Sequence, residues 1–398
     1  MAYRQPNMIS RNTKSLLLKE IAFYDNKTLI QQKSRMPSIR CLTDILKEAR
    51  IYLTRVKHRL FIPNSIECHM DTVRIIGTGS YLPPTILTNF DLQKMGLDTT
   101  DDWIVQRTGI RERRIADPEV ATSDLGYEAA TKALDMAGLT ARDIDLIIMA
   151  TITPDMCCPS AANFLQAKLD APQAITFDIT AACSGFIFGL NIAEQYLKNK
   201  TCRYVLVVAS EVMTRTLNWK DRATCILWGD GAGAALLTWD KTGPELLSTH
   251  IHTHGADGQN LLLPGGGSKT TPISHDSVDK GKHLLNIFEA NLSFRIAVRY
   301  FIEAIKEAVG FNHVSIQDID WFIPHQANLR MFQNISKSLK IPFEKFYLTV
   351  HKYGNISSAS CAISLDEAVR KQYIQPEHLI CLPVFGGGLT WGSALIRW

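Results

Sequence analysis

The 398-residue sequence predicts an α/β fold in which two duplicated halves form a five-layer α/β/α/β/α sandwich. Two observations predict this fold. Continuous apolar segments of strand length alternate with amphipathic segments of helix length, a pattern typical of sheets that helices cover on both faces. In addition, the segment DIDLII at 143–148 recurs as DIDWFI at 318–323, which indicates an internal repeat.

The elements that follow each copy correspond in order. After the first copy come a predicted helix at 161–169, a strand at 174–179, Cys183, an apolar strand at 204–209 and glycines at 229–233; after the second come a helix at 327–339, a strand at 346–350, Asn355, an apolar strand at 378–384 and glycines at 386–388. Four matches in one order favour duplication over chance similarity. We therefore expect one half at 71–242 that carries Cys183, another at 243–398 that carries His325 and Asn355, and a site where the halves meet.

A basic extension precedes the two halves. The first 69 residues hold 13 Lys and Arg against 5 Asp and Glu, a net charge of +8, whereas the remainder has a net charge of −4 and contains all 24 glycines. We place the boundary at residue 70. Five acidic residues disfavour a targeting segment, and the lack of interleaved aromatic residues disfavours a nucleic-acid-binding arm. We prefer a third interpretation, an extension at 1–70 that is dispensable for fold and catalysis.

The composition excludes several classes of protein. The longest apolar runs, such as 144–150 and 204–209, are far shorter than the roughly 20 residues that cross a bilayer, so no membrane association is expected. The nine cysteines, an odd number, are scattered without any CxxC pair, and the one close pair, Cys157 and Cys158, has neither a zinc-site nor a thioredoxin spacing. We expect a globular enzyme of a reducing compartment, the cytoplasm, with no nucleic-acid partner.

Cys183 is the candidate nucleophile. It lies between a predicted strand and an apolar helix at about 184–197, and the positive end of the helix dipole should lower the pKa of the thiol from its usual value of about 8.5. Gly185 and Gly189 would let this helix pack closely as a central element. Because a lone cysteine is usually just a small apolar residue, its role depends on its partners.

Two further residues are candidate partners. His325 follows the predicted strand at 321–323, and a loop at the end of a strand leaves both ring nitrogens free to face a site. Asn355 supplies an amide donor that cannot lose a proton, and Gly354 before it permits a tight turn. Considered alone, Asn355 would be an ordinary turn residue.

Glycine clusters permit different interpretations. After Gly77 and Gly79 the chain has Leu82 where a dinucleotide-binding fingerprint requires a third glycine, and the cluster at 229–233 lacks a phosphate-binding lysine. We interpret both as tight turns. The cluster at 386–388 differs, because three adjacent glycines let backbone N–H groups approach a ligand and form an oxyanion hole.

Taken together, these segments resemble the thiolase superfamily and, within it, the β-ketoacyl-acyl-carrier-protein synthase III family. The resemblance covers 73–398 and rests on the segments 75–83, 103–113, 178–186, 229–234, 324–330, 353–355 and 385–388. The third active-site residue separates the relatives: thiolases have a second cysteine, elongating synthases a second histidine and hydroxymethylglutaryl-CoA synthases an acid–base glutamate. Asn355 stands here, so the resemblance implies that the carbanion forms by loss of CO₂.

The resemblance implies a decarboxylating condensation that initiates fatty-acid synthesis. A primer acyl-CoA, which we expect to be acetyl-CoA, would acylate Cys183, with the oxyanion held by the backbone N–H groups of Cys183 and Gly387. Malonyl-acyl-carrier protein would then lose CO₂ while His325 and Asn355 stabilise the enolate. Attack on the acyl group would give 3-oxoacyl-carrier protein; free CoA is released in the acylation step.

The resemblance also implies binding residues. Trp103 and Arg222 would enclose the adenine of CoA, Arg107 would contact its phosphates and Asn328 its pantetheine arm. Arg330, Arg295 and Lys337 would receive the acidic carrier protein. A homodimer is implied, and neither a metal nor a tightly bound cofactor is.

Two departures leave the size of the primer open, since Cys158 stands where some relatives have an aromatic residue and Trp228 stands where phenylalanine is familiar. The nearest alternative is therefore a related synthase that uses another primer, or malonyl-CoA, in a secondary pathway. A non-catalytic binding protein of the same fold is a second alternative. Nucleic-acid binding through the basic extension is a third.

Overall fold

The computed structural model describes residues 71–269, 273–287 and 290–398. The predicted basic extension at 1–70 lies outside the described residues. The strands and helices of the N-terminal half are β1 (Thr72–Tyr81), β2 (Thr85–Thr88), α1 (Asn89–Lys94), α2 (Asp101–Thr108), β3 (Glu112–Ile115), α3 (Thr122–Ala137), β4 (Leu146–Ala150), α4 (Ala161–Leu169), β5 (Ile175–Ile179), α5 (Gly185–Lys198), β6 (Tyr204–Val212) and β7 (Asp230–Asp240).

The described part of the C-terminal half repeats most of this series, with one strand fewer in its part of the sheet and with extra short elements. It contains β8 (Glu245–Thr253), β9 (Leu261–Leu262), α6 (His275–Asp279), β10 (Asn286–Ile287), α7 (Ala290–Phe311), β11 (Trp321–Phe322), α8 (Leu329–Leu339), α9 (Val350–Tyr353), α10 (Ala359–Arg370), β12 (Leu379–Gly386) and β13 (Thr390–Arg397). The boundary that we placed between residues 242 and 243 falls in the loop between β7 and β8.

Strand order shows that the two halves share one topology. In the N-terminal half the order is β5, β4, β6, β7, β1, with parallel pairing among the first three and antiparallel pairing among the last three. In the C-terminal half the order is β11, β12, β13, β8, with the same change from parallel to antiparallel. A single pair, Arg74 with Glu245, joins β1 to β8. The predicted duplication is confirmed.

Three apolar cores separate five layers. Helices α3 and α4 cover one face of the first sheet, and α7 and α8 cover one face of the second. Between the sheets, α5 and α10 form the central layer, whose core takes buried residues from both halves. The predicted five-layer sandwich is confirmed, and its central helices begin near Cys183 and Asn355. Within the described residues, no helix has the length and apolar character that crossing a membrane requires.

One predicted strand is wrong. Residues 346–350 form only a single parallel bridge, between Phe322 and Phe346, and then turn into α9. The side chain of Gln326 explains the difference, because its Oε1 accepts hydrogen bonds from the backbone N–H groups of Thr349 (2.8 Å) and Val350 (3.1 Å). These donors are satisfied by a side chain instead of by a neighbouring strand.

The interpretation of two glycine clusters as tight turns is also wrong. Gly77 and Gly79 lie within β1, where a Cβ would overlap the carbonyl oxygens of Ala133 and Ala129 on α3. Likewise, Gly233 lies within β7, and its Cβ would be 2.5 Å from the Cβ of Ala362 on α10. These glycines let helices pack directly on the strand backbone.

Candidate functional site

The ends of equivalent elements position the candidate residues. Cys183 lies in a short 3₁₀ turn immediately before α5, and Asn355 forms a single parallel bridge with Trp228 shortly before α10. Gly185, predicted to allow close packing, does so, since its Cβ would be 2.9 Å from the Cβ of Ala150. His325 follows β11, with its backbone N–H bonded to the carbonyl of Pro383 on β12 (3.0 Å).

One cavity of about 520 Å³ brings these residues together. Cys183, His325, Asn355 and Gly387 all line it. The three side-chain residues are buried, with exposed fractions of 4% for Cys183, 1% for His325 and 7% for Asn355. Since Cys183 comes from one half of the chain and the others come from the second half, the site lies where the halves meet, as the sequence predicts.

The glycines after β12 approach Cys183 along the backbone. A Cβ on Gly386 would be 2.8 Å from the backbone nitrogen of Cys183, so a side chain here would displace that segment. The backbone N–H groups of Gly387 and of Cys183 itself lie close enough to the sulfur to lower the pKa of the thiol. Two N–H groups beside one sulfur form an arrangement that can hold the oxygen of a thioester bound there.

The expected lowering of the pKa of Cys183 is not found. Burial raises the pKa of this thiol to about 12, and the negative charge of Glu211 raises it further, so that these effects outweigh the nearby N–H groups. Cys183 is therefore a thiol at neutral pH, and it must transfer its proton when it reacts.

His325 is neutral for the same reason. Burial lowers the pKa of its imidazole to about 3, and the backbone of Ser357 opposes this effect only weakly. Its Nδ1 atom has no hydrogen-bond partner among the described residues. A neutral imidazole can still donate one N–H hydrogen bond to an oxygen in the cavity.

The orientation of the Asn355 amide is fixed. Its Oδ1 accepts a hydrogen bond from the backbone N–H of Ser357 (2.8 Å), which leaves the Nδ2 group as a donor. The backbone of Asn355 pairs with the strand-like segment before β7: its N–H donates to the carbonyl of Leu227 (2.8 Å) and its carbonyl accepts from Gly229 (3.0 Å). The donor is thus held by both the side chain and the backbone.

Four of the predicted binding residues line the same cavity, namely Trp103, Arg107, Asn328 and Arg330. Arg222 is not among the lining residues. Its guanidinium lies 4.9 Å from the centre of the Trp103 ring and is paired with Asp98 at 2.9 Å. This separation leaves no room for a purine ring between Trp103 and Arg222, so an adenine could enter there only if Arg222 moved away.

The amide of Asn328 already has partners at both ends. It caps α8, since its Oδ1 accepts from the backbone N–H of Arg330 (2.9 Å), and its Nδ2 donates to the carbonyl of Arg107 (3.0 Å). The side chains of Arg330 and Lys337 are exposed on α8, and Arg295 is exposed on the neighbouring α7.

The structure adds residues that sequence reasoning missed. Glu211 and Ser357 are both fully buried and affect the pKa of the Cys183 thiol in opposite directions, since the hydroxyl of Ser357 lowers it and the negative charge of Glu211 raises it. An acidic residue near the end of the apolar strand β6 was a signal for Glu211, whereas nothing distinguished Ser357.

Trp228 lines the cavity and Cys158 does not, being exposed. In the described parts of the chain, no three His, Cys, Asp or Glu side chains are grouped as metal ligands would be.

A buried nucleophile at the start of a central helix, in a duplicated sandwich of this topology, is characteristic of acyl-transferring condensing enzymes with the thiolase fold. Comparisons with known proteins specify the family. Models described as "3-Oxoacyl-[acyl-carrier-protein (ACP)] synthase III" and its C-terminal part match residues 177–255 and 310–398. The chain belongs to the 3-oxoacyl-[acyl-carrier-protein] synthase III family.

Individual relatives agree with this assignment. A Beta-ketoacyl-[acyl-carrier-protein] synthase III of Caldanaerobacter subterraneus is 48% identical over 331 residues, which are 83% of this chain and 99% of the relative. Another of Xanthomonas campestris is 45% identical over 82% of this chain and 98% of the relative. The solved 3-oxoacyl-[acyl-carrier-protein] synthase III of Aquifex aeolicus has a TM-score of 0.75 and 39% identity, and covers 82% of this chain and 100% of its own.

Proposed function

We propose that this enzyme condenses a primer acyl-CoA, acetyl-CoA foremost, with malonyl-acyl-carrier protein, releasing CO₂ and CoA and yielding a 3-oxoacyl-carrier protein that begins fatty-acid synthesis. The observation that carries this proposal is that one cavity joins a buried thiol to two fixed donors, His325 and Asn355. The carrier protein as a substrate and the 3-oxoacyl type of product are inferred from the names of the relatives.

The two half-reactions use different groups. In the first, the sulfur of Cys183 attacks the thioester carbon, the oxyanion is held by the backbone N–H groups of Cys183 and Gly387, and CoA leaves. In the second, the N–H groups of His325 and Asn355 stabilise the enolate oxygen that forms as malonyl loses CO₂. The enolate carbon then attacks the acyl group, and the sulfur of Cys183 is released.

The surroundings of the cavity support further parts of the proposal. Trp103, Arg107, Arg222 and Asn328 would contact CoA, with Arg222 moving away from Trp103 and Asn328 turning from its cap. Exposed Arg330, Arg295 and Lys337 lie on two packed helices, where they would attract the acidic carrier protein. We also propose a cytoplasmic homodimer that holds no metal or cofactor, and a dispensable extension at 1–70.

A related synthase of a secondary pathway is less well supported. A priming β-ketosynthase of the R1128 polyketide pathway is similar in structure, with a TM-score of 0.75 and 31% identity, and a solved synthase III of Pseudomonas aeruginosa has the same two values. The preference therefore rests on relatives at 44–48% identity that are named as synthase III. Supplying malonyl-CoA and malonyl-carrier protein in parallel distinguishes the two activities.

The proposed division of labour predicts opposite defects. Cys183→Ala should abolish acyl-enzyme formation yet still release CO₂ from malonyl-carrier protein. His325→Ala and Asn355→Ala should retain acylation, while CO₂ release falls about 10²-fold or more, the scale for loss of one aimed donor. Mass spectrometry of the acyl-enzyme and assay of CO₂ release measure the two steps separately.

Cys202→Ala is the matched control, because this buried cysteine does not line the cavity, and both steps should persist. If His325→Ala lost acylation as completely as Cys183→Ala but still released CO₂, His325 would act chiefly as the base for the thiol. The assigned roles would then have to be exchanged.

A further inference from the structure

Arg113 is a buried cation that the proposed reaction does not use. It lies on β3 with none of its surface exposed, and burial lowers the pKa of its guanidinium to about 10, so it is still charged at neutral pH. Burying a charge is costly unless hydrogen bonds compensate for the lost water. Its Nε atom has no partner among the described residues, so this compensation comes from the two Nη groups.

The two Nη groups connect two separate parts of the chain. Nη1 donates to the carbonyl of Leu87 (3.1 Å) and to Oδ1 of Asn89 (2.9 Å). The Asn89 side chain is itself held, because its Nδ2 donates to Oδ1 of Asp101 (2.8 Å). On the other side, Nη2 donates to the carbonyl of Ile226 (2.6 Å). Acceptors on two sides suit the rigid fork of donors on a guanidinium, which the ammonium group of lysine does not have.

The segment 226–229, which Arg113 holds at its first residue, is also the backbone partner of Asn355. The N–H of Asn355 donates to the carbonyl of Leu227 (2.8 Å), and the carbonyl of Asn355 accepts from the N–H of Gly229 (3.0 Å). The carbonyl that Arg113 binds and the carbonyl that Asn355 binds therefore belong to consecutive residues. A shift of this segment would carry the backbone of Asn355 with it.

Two glycines bring the Arg113 side chain against both paired segments. A Cβ on Gly229 would be 3.2 Å from the Cβ of Arg113, and a Cβ on Gly354 would be 3.5 Å from the same atom. These glycines are the sequence neighbours of Trp228 and Asn355, the two residues that form the parallel bridge. The Arg113 side chain therefore begins beside this bridge and ends on the carbonyl at position 226.

We propose that Arg113 is a positioning residue for the decarboxylating step, because it fixes the segment 226–229 to which the backbone of Asn355 is bonded. Arg113 is not among the residues that line the cavity, so it acts through Asn355 and not on the substrate. The Asn355 amide holds the enolate oxygen as CO₂ leaves, and a donor that is displaced by a fraction of an ångström loses much of its effect. This inference rests on the proposed function.

The acylation step provides an internal reference for this role. It uses the backbone N–H groups of Cys183 and Gly387, which lie just before α5 and just after β12 and belong to neither segment of the bridge. A defect confined to Asn355 therefore spares acylation, whereas a general loss of folding lowers both steps equally. Because Ile226 and Trp228 line the cavity, the KM for acetyl-CoA can change as well, so the comparison is made between maximal rates.

The test compares the natural chain with Arg113→Lys, which keeps the charge but loses the fork of donors. Acylation of Cys183 is followed by mass spectrometry at saturating acetyl-CoA, and CO₂ release is measured at saturating malonyl-carrier protein. Acylation should stay within about twofold while CO₂ release falls about tenfold, which is less than the roughly 10²-fold expected when a donor is lost outright. In an Asn355→Ala background, Arg113→Lys should change CO₂ release by less than about twofold, because the donor that it positions is already absent.

Arg74→Lys is the matched control. Arg74 is also buried and its guanidinium also donates to three backbone carbonyls, those of Asp240, Lys241 and Gly243, but it does not line the cavity. Both maximal rates should therefore stay within about twofold of those of the natural chain. A selective loss of CO₂ release in this control would overturn the role assigned to Arg113.

Three results with Arg113→Lys would also overturn it: unchanged CO₂ release, an equal fall in both steps, or a further tenfold fall in the Asn355→Ala background. If Arg113→Lys does not fold, Asn89→Ala, which removes one acceptor of Nη1, decides the matter. Its CO₂ release should fall about fivefold with acylation preserved, and an equal fall in both would contradict the proposal. Failure of the proposed function would appear differently, because the natural chain itself would then form no acyl-enzyme.

Discussion

Cys183 and His325 are both held in their neutral forms by burial. The pKa of the thiol is raised to about 12 and that of the imidazole is lowered to about 3, so the proton stays on sulfur and no thiolate–imidazolium pair forms. Because the sulfur of Cys183 binds a proton far more tightly than the imidazole of His325 does, His325 can donate a hydrogen bond but is a poor acceptor of the thiol proton. That proton must move to another group. The fixed amide of Asn355 matches this role, since it too donates without titrating.

The neutrality of His325 predicts that decarboxylation does not depend on pH in the usual histidine range. In Cys183→Ala, CO₂ release from malonyl-carrier protein should show no inflection between pH 5 and 8, because a histidine whose folded pKa is about 3 stays neutral throughout. The same assay on His325→Ala is the comparison, and its rate of CO₂ release should be lower at every pH. A fall in rate as the pH drops through about 6.5, the ordinary histidine value, would contradict it.

The candidate site was predictable where local context marks a residue. Cys183, His325 and Asn355 each adjoin a strand end or a glycine, and Gly387 lies in a glycine run, so local sequence indicates all four. Ser357 comes from the C-terminal half and can influence Cys183 only when the two halves fold together, and no local pattern reports this. Glu211 lies in the same half as Cys183, and only its place near the end of the apolar strand β6 marked it. The direction of the pKa shift of Cys183 was wrong for the same reason, because burial depends on the surrounding layers and not on position along a helix.

Strand β1 and helix α3 show how one sequence signal can have two physical causes. Glycine permits tight turns, but it also permits a helix to lie directly on a strand, and the local sequence around Gly77 and Gly79 does not separate these cases. The structure does: both glycines are paired with β7 and face the backbone of α3. Long apolar strands and amphipathic helices were predicted more successfully, because their periodicity extends over many residues.

This close packing predicts a large effect of one methyl group. Gly79→Ala should lower the free energy of unfolding by about 3 kcal/mol or more, because its Cβ would overlap backbone atoms of α3 that cannot rotate away. Gly310→Ala, near the end of α7, is the matched control: its Cβ meets nothing within 4 Å, and it should stabilise the protein by about 0.5–1 kcal/mol. Urea unfolding compares them, and equal stabilities would contradict the role assigned to Gly79.

The duplication explains why the site lies at the centre of the molecule. The central helices α5 and α10 are equivalent elements of the two halves, and the short segments before them, which hold Cys183 and Asn355, meet at one cavity. The order of repeated elements made this symmetry predictable. The loss of regular pairing after Phe346 was not, because it depends on hydrogen bonds that Thr349 and Val350 donate to the side-chain oxygen of Gln326, a residue distant in sequence.

The whole catalytic unit is therefore expected to begin close to Met70. The described residues between 71 and 398 contain both sheets, the three main apolar cores and the residues that line the cavity around Cys183. A protein that starts at Met70 should retain the urea-unfolding midpoint and the kcat/KM for condensation of the full chain, because the described residues hold the sheets and cores that position Cys183, His325 and Asn355. Both quantities are measured side by side with the full chain as control. An insoluble or inactive shortened protein, beside an active full chain, would show that the extension takes part in folding or in the site.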